Sequence, residues 1–265
     1  MTAITMPVSV RTTAAEIARH TAIVMVRELR PVLANPFSLV FGMVQPLVFL
    51  GLFGPLLAGS PAATVNGSVW RWFVPSILVM TALFVSSTTG ANLLFELQTG
   101  AHERTLVAPV RRSSLLIGRS LKEMVPLAGQ AIVIVLAMLP FGFRFNPLGA
   151  LLGVVLLAVF GVGLGSLSYA LALAVRKQDW MFWFVQQTLL YPLMILSGML
   201  LPLSSGPGWI SSASRIDPLT YLVDAERALF AGDFSSTVGW GVLASTVTAA
   251  TGLVVGIRAM LRSAE

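Results

Sequence analysis

Residues 148 to 175 run for 28 positions without one Asp, Glu, Lys or Arg. A helix of that length extends about 42 Å, more than the ~30 Å hydrocarbon thickness of a bilayer. In water every face of such a helix would have to find a protein core, whereas lipid accepts it as it stands. Five further apolar stretches, at about 37–58, 72–95, 121–143, 180–201 and 237–258, are also long enough to cross. With 11% charged residues, against roughly a quarter in a typical soluble domain, the chain lacks the polar surface to dissolve. The expected fold is an all-α integral membrane protein of six transmembrane helices, because a span in hydrocarbon must satisfy its own backbone hydrogen bonds.

Six crossings return both ends to one side of the membrane. Of 17 Lys and Arg, 13 fall in the N-terminal segment, the 96–122 loop, Arg176-Lys177 and the tail with Arg258 and Arg262. The other four, Arg71, Arg144, Arg215 and Arg227, fall on the opposite side. Positive charge is retained inside, so both termini are expected in the cytoplasm and the protein in the cell membrane. The opening residues 1–12 lack the basic and apolar regions of a signal peptide, so the N-terminus is expected to stay.

Residues 1–36 read as a cytoplasmic N-terminal unit and 37–265 as the transmembrane domain. Thr13 and Glu16 have capping-box spacing, and Pro31 is expected to end the helix that follows. Glu16, Arg19, His20, Arg27 and Arg30 gather on one side of that helix and Ala18, Ala22, Met25 and Leu29 on the other, an amphipathic pattern suited to the membrane surface. The 96–122 loop holds Glu96, His102, Glu103, Arg104, Arg111, Arg112, Arg119 and Lys122, the longest charged interruption in the chain. Glu96 to Thr105 is expected to continue helically from the second span, and Pro109 with Arg111 and Arg112 to form a stiff basic corner.

Within the spans, mildly polar stripes stand out. Gln45 and Phe49 mark the first, Thr81, Thr88 and Asn92 the second, and Trp183, Gln187, Tyr191 and Met194 the fifth. Such faces turn to protein or to a water-filled path rather than to lipid. Gly161-x-x-x-Gly165 and Gly252-x-x-x-Gly256 allow close helix approach and are read as packing within the chain. In the 202–236 segment, Asp217 reads as N-cap, Pro218 as first helical residue and Gly232 as the terminator, predicting a helix over 218–231 that is too short to span.

Several chemistries fall away. There is no cysteine, and His20 and His102 lack partners at metal-ligand spacing, so no metal site is expected. The only lysines are Lys122 and Lys177, and neither follows a glycine, which excludes a phosphate loop. No acidic residue lies at mid-membrane depth in these spans, which argues against an ion-driven relay. The scattered basic residues answer to anionic lipid, not to nucleic acid. A passive channel, a scaffold subunit, or a permease driven by another protein's ATPase remain.

The charged loop resembles the cytoplasmic loop of type-2 ABC exporter permeases. The matching residues are Glu96, Thr99, Gly100, Glu103, Arg104, Leu106, Pro109, Arg111, Gly118 and Arg119. Where that family has glycine-threonine before its leucine-glutamate-arginine, this chain has Gly100-Ala101-His102 and so lacks the hydroxyl. A second matching block comprises Tyr191-Pro192-Leu193, Ser197-Gly198, Leu201-Pro202, Trp209-Ile210, Arg215 through Tyr221, and Arg227. Within the family the chain looks most like daunorubicin-resistance-type drug and lipid exporters.

The resemblance implies a permease subunit that is not itself an enzyme and carries no cofactor, paired with a second identical or homologous permease. Separate ATPase subunits would bind Mg-ATP. Glu96, Thr99, Gly100, Glu103, Arg104, Pro109, Arg111 and Arg112 would form the coupling helix. Trp209, Asp217, Pro218 and Tyr221 would build an outer gate, and the polar stripes would line the path. Stripes rich in Phe, Trp, Met and amides and poor in charge suit a hydrophobic or amphipathic cargo: a drug, an antibiotic or a lipid. Polysaccharide or glycolipid export is the alternative within the family, and a channel or scaffold without an ATPase the alternative outside it.

Overall fold

The computed structural model describes residues 14–34, 36–59, 68–100, 112–176, 178–203 and 206–262. Every element among them is helical. In order they are α1 (Ala14–Ala34), α2 (Pro36–Ala58), α3 (Val69–Gln98), α4 (Arg112–Lys122), α5 (Met124–Met138), a 3-10 turn (Leu139–Phe141), α6 (Pro147–Ala174), α7 (Asp179–Leu196), α8 (Gly208–Ser214), α9 (Pro218–Ala231) and α10 (Ser236–Arg262).

Four helical segments among the described residues are long and apolar enough to cross a bilayer: Val69–Gln98, Ser114–Phe141, Pro147–Ala174 and Ser236–Arg262. The chain is therefore a multi-pass membrane protein. Of the other two predicted spans, α2 contributes a shorter apolar stretch, Gly42–Ala58. The fifth, α7, is 18 residues long and carries Asp179, Gln186 and Gln187.

At the centre stands α3, with 72% of its apolar window buried, against 22% for α10, which lies at the rim. Phe73, Ile77, Leu78 and Met80 of α3 are fully enclosed by side chains of α2, α5, α6 and α9. A second, smaller core joins Val24 of α1, Leu115 and Leu116 of α4, Tyr169 of α6 and Phe182 of α7. The outer faces of α5 and α10 expose Ile132, Leu136, Val242 and Val247, as a lipid-facing surface would.

Glycine fixes how α6 meets its neighbours. A methyl group at Gly149 would collide with the Leu229 carbonyl of α9, and one at Gly163 with the backbone of α10 at Thr248. Both glycine pairs read from the sequence do pack within the chain, though with different partners than each other. Gly252 rests on Gly163 and Gly256 on Ser166, while Gly161 meets Ser86 and Met124, and Gly165 meets Thr89. Helix starts follow local chemistry as well: Asn146 caps α6 by accepting from the Gly149 N–H at 2.9 Å, with Pro147 next in line.

Three boundaries differ from expectation. The helix expected to stop at Pro31 runs on to Ala34, because a proline costs a helix one hydrogen bond without obliging it to end. The extension predicted from Glu96 to Thr105 is shorter: α3 closes at Gln98, and Gly100 takes a left-handed φ of 68°. The third span is preceded by α4, already helical from Arg112, with a break at Glu123. The packed face of α1 is also not Ala18 and Ala22, which are exposed, but Thr21, Val24 and the half-buried Glu28. That face lies on Gly118, where a methyl group would sit 2.9 Å from the Thr21 carbonyl oxygen and from Val24.

Candidate functional site

Two polar assemblies stand out, one at each end of α3. The first gathers charges from three helices. Arg119, only 3% exposed, reaches Glu96 at the end of α3 and lies 3.8 Å from Glu28 of α1. Its guanidinium also sits 5.9 Å from the centre of the Tyr169 ring. Lys122, 7% exposed, reaches Glu28 at 3.4 Å and Glu123 at 3.8 Å. The Asn92 amide donates to Glu123 at 3.3 Å. Burying so many charges is tolerable because they pair with one another, although Arg119 keeps Nε and one terminal nitrogen without a partner among the described residues, and removing one member would strand the rest.

This cluster changes the reading of the 96–122 loop. Glu96, Arg119 and Lys122 form an internal knot tying α1, α3 and α4, not a solvated run of charge. Of the other residues assigned to coupling, Thr99 closes α3 by donating its hydroxyl to the Phe95 carbonyl at 3.0 Å, Gly100 turns the chain, and Arg112 opens α4. Glu103, Arg104, Pro109 and Arg111 lie outside the described residues. The knot borders the segment that holds them on both sides.

The second assembly holds α9 against the other end of α3. Arg227 donates from Nε to the Trp72 carbonyl at 3.1 Å, and from one terminal nitrogen to Ser76 Oγ at 2.8 Å and the Gly198 carbonyl at 3.0 Å. Its guanidinium stacks 4.2 Å from the Trp72 ring, and Asp224 sits 3.4 Å from its other nitrogen. Burial lowers the Arg227 pKa to about 10, with Asp224 opposing the shift, so the side chain stays cationic at neutral pH. Pro75 withdraws the N–H that would close the turn at Arg71, and the Trp72 carbonyl on that turn takes the Arg227 bond in addition to one from the Ser76 hydroxyl at 3.0 Å.

Beside Arg227 lies Glu226, wholly buried, with no partner for either carboxyl oxygen among the described residues. It fills the space left by the absent side chain of Gly153 on α6. Burial alone raises its pKa to about 8, so the carboxyl is held neutral.

The predicted start of α9 is present as read. Asp217 accepts from the Leu219 N–H at 2.9 Å, Pro218 follows, and Gly232 closes the helix at φ 80°. Burial raises the Asp217 carboxyl to about 6 against the pull of that hydrogen bond. Tyr221 donates to the Arg215 carbonyl at 2.7 Å, so Asp217, Pro218 and Tyr221 form one corner. Trp209, on α8, stands 67% exposed and apart from that corner.

The polar stripes come out mixed. Thr81 is buried and donates to its own helix at the Ile77 carbonyl, whereas Thr88 and Asn92 are exposed on α3. Gln45 is exposed, and Phe49 stacks on Phe53 at 5.3 Å. On α7 the packed face is Phe182, Gln186, Leu190 and Met194, leaving Trp183 and Tyr191 each half exposed on its flank with Gln187 between. Glu226 and Gln186 are the residues that sequence reasoning passed over, and Arg227, matched as part of the second block, was given no role there. A signal existed for Glu226, which falls four residues after Leu222 and three before Leu229, on the apolar face of α9.

Membrane-crossing helices clamped by buried ion pairs, with a short capped helix folded against one end, define a helical multi-pass membrane protein. Comparison with known proteins agrees: the ABC-2 type transporter pattern matches residues 19–231. The chain belongs to the ABC-2 type transporter family, as a permease. It is 31% identical over 202 residues to the transport permease ycf38 of Cyanophora paradoxa, covering 74% of this chain and 69% of that one. The daunorubicin resistance ABC transporter permease protein DrrB1 of Streptomyces coeruleorubidus is 25% identical, covering 83% of this chain and 76% of its own. The doxorubicin resistance permease protein DrrC of Mycobacterium tuberculosis is also 25% identical, with 85% and 83% covered. These relatives are permease subunits, and the family implies an ABC ATPase as partner.

Proposed function

We propose that this chain is the membrane half of an ATP-driven exporter that moves a hydrophobic or amphipathic compound out of the cell. Six spans place both termini in the cytoplasm, and a second permease chain, identical or homologous, completes the path. Mg-ATP is bound and hydrolysed by separate subunits that dock on residues 96–112. The drug-resistance names of two relatives support the class of cargo. So do the exposed Trp183 and Tyr191 beside the uncharged stripe of α7.

The observation that carries the coupling reading is the knot of Glu28, Glu96, Arg119, Lys122 and Glu123. It ties α1, the end of α3 and the start of the next span into one body flanking residues 101–111. A push delivered there moves these helices together, since a packed element shifts as a unit instead of deforming smoothly. The test is reconstitution of the chain with its ATPase in vesicles. Glu103→Ala with Arg104→Ala is expected to leave ATP hydrolysis running while efflux stops. Unchanged efflux, or a solubilised permease that never retains an ATPase, overturns the proposal.

A further inference from the structure

At the end of the bundle where α9 folds back, two clefts share a wall. One, of about 320 Å³, is lined by Arg71 at the start of α3, Arg144 and Asn146 in the turn before α6, and the rings of Phe143, Phe145 and Phe230. The other, of about 370 Å³, runs between α3, α5 and α6 and is lined by carbon alone, including Leu78, Ala131, Val135 and Ala150. Phe145 and Phe230 line both, with ring centres 6.2 Å apart, and Phe143 packs against each of them. Phe230 is anchored by its carbonyl, which accepts from the Asn146 N–H at 2.9 Å.

The charge at the mouth is unanswered. Neither Arg71 nor Arg144 meets a carboxylate among the described residues. Arg144 is exposed and Arg71 partly so, and both sit at the ends of spans, where a bilayer's headgroups are expected. Below them Ile132 and Leu151, at the lip of the apolar cleft, are 59% and 62% exposed toward the hydrocarbon side. A paired cationic mouth adjoining a dry carbon-lined slot across Phe145 and Phe230 is complementary to one kind of molecule: an anionic headgroup continuous with an acyl chain.

We infer that the two clefts together bind one anionic phospholipid, its phosphate between Arg71 and Arg144 and part of one acyl chain against Leu78, Val135 and Ala150. Phe145 and Phe230 form the neck between head and chain. A guanidinium suits the phosphate because its planar fork can donate two parallel hydrogen bonds. The slot has no polar group to reward anything but hydrocarbon. The site lies apart from the 96–122 segment and from the stripe on α7, so it stands or falls independently of the coupling reading.

The test uses the full chain, solubilised and titrated with dioleoylphosphatidylglycerol or dioleoylphosphatidylcholine while retained lipid is counted by native mass spectrometry. One phosphatidylglycerol per chain is expected to persist in excess phosphatidylcholine. Arg71→Gln with Arg144→Gln, at positions the fold leaves open, should weaken retention by about tenfold or more, the loss expected for two charge-assisted hydrogen bonds. Ala150→Phe, which fills the slot and leaves both arginines in place, should weaken it comparably. Equal retention of the two lipids, or retention unaltered in the arginine variant, overturns the inference. Displacement of phosphatidylglycerol by millimolar inorganic phosphate alone overturns it too, because the site would then hold an ion and not a lipid.

Discussion

Glu226 offers the sharpest quantitative test of the packing around α9. Its carboxyl is wholly enclosed without a partner among the described residues, and burial raises its pKa from 4.5 to about 8. Among the described residues no cation pairs with it: α6 carries no charged residue, α10 carries none before Arg258, Arg71 on α3 forms no ion pair, and Arg227 on the same helix is committed to Trp72, Ser76, Gly198 and Asp224. The sign follows from which state holds the proton more tightly. The folded state does, so the stability linked to this proton is fully present below pH 4.5 and is lost as pH rises through about 8. Each tenfold in proton affinity is worth about 1.4 kcal/mol, which puts the full change on the order of 5 kcal/mol, and about 3 kcal/mol of it has gone by pH 7. Glu226→Gln keeps the shape and removes the titration. Thermal unfolding of the solubilised protein, followed by tryptophan fluorescence from pH 5 to 8.5, should show wild type losing stability with rising pH relative to the variant. The two curves should meet at the acid end and separate steadily above it. Parallel curves across that range would mean that the carboxyl is ionised and partnered in the folded protein, and the reasoning would fail.

Two further outcomes follow from contacts already described. Arg227→Ala should destabilise by about 2–5 kcal/mol, since the carbonyls of Trp72 and Gly198 and the Ser76 hydroxyl lose their buried charged donor. Arg227→Lys should recover only part of this, because one ammonium cannot reproduce the fork, and chemical denaturation in detergent reads both. Gly163→Leu should cost about 1–3 kcal/mol or block folding outright, because the new side chain would meet the α10 backbone at Thr248 and Ala249. The same change at Gly129, which has open space around it, should be close to neutral in that assay.

The capped helix α9 was legible because its signals are local: Asp217, Pro218 and Gly232 each act within one turn of their own position, and the structure uses all three as expected. The glycine spacings were legible for a related reason, since the lack of a side chain limits what a helix can do wherever it packs. Long-range pairing was another matter. Arg119 and Lys122 were read as part of the charged 96–122 loop because nothing near them in sequence shows that Glu28, 94 positions from Lys122, would be folded onto them. The end of α3 was misjudged because Ala101 to Thr105 carry no helix breaker, while Gly100, free to turn left-handed, stops the helix first. The packed face of α7 turned on a single residue of helical phase. Gln186 and Gln187 look alike in sequence, and only the Ser168 hydroxyl, 3.4 Å from the Gln186 carbonyl oxygen, decides which one turns inward.

The two polar assemblies share α3. Glu96 lies in the knot with Arg119, and Trp72 and Ser76 lie in the clamp around Arg227. About twenty residues of helix separate them, some 30 Å at 1.5 Å per residue. The part of that stretch nearest the clamp is tightly embedded, with Ile77, Leu78, Val79 and Met80 fully buried, so it has little room to bend. A weak point is Pro75, where the missing N–H opens a turn, and it falls inside the Arg227 clamp, at the end remote from the knot. Under the proposed coupling, a displacement imposed at Glu96 would be carried along α3 to the turn where Arg227 holds α9. Of the two fastenings, the knot is built from several ion pairs across three helices. The clamp rests on one arginine beside a carboxyl that must stay neutral. If the bundle yields under load, α9 moves before α1 does.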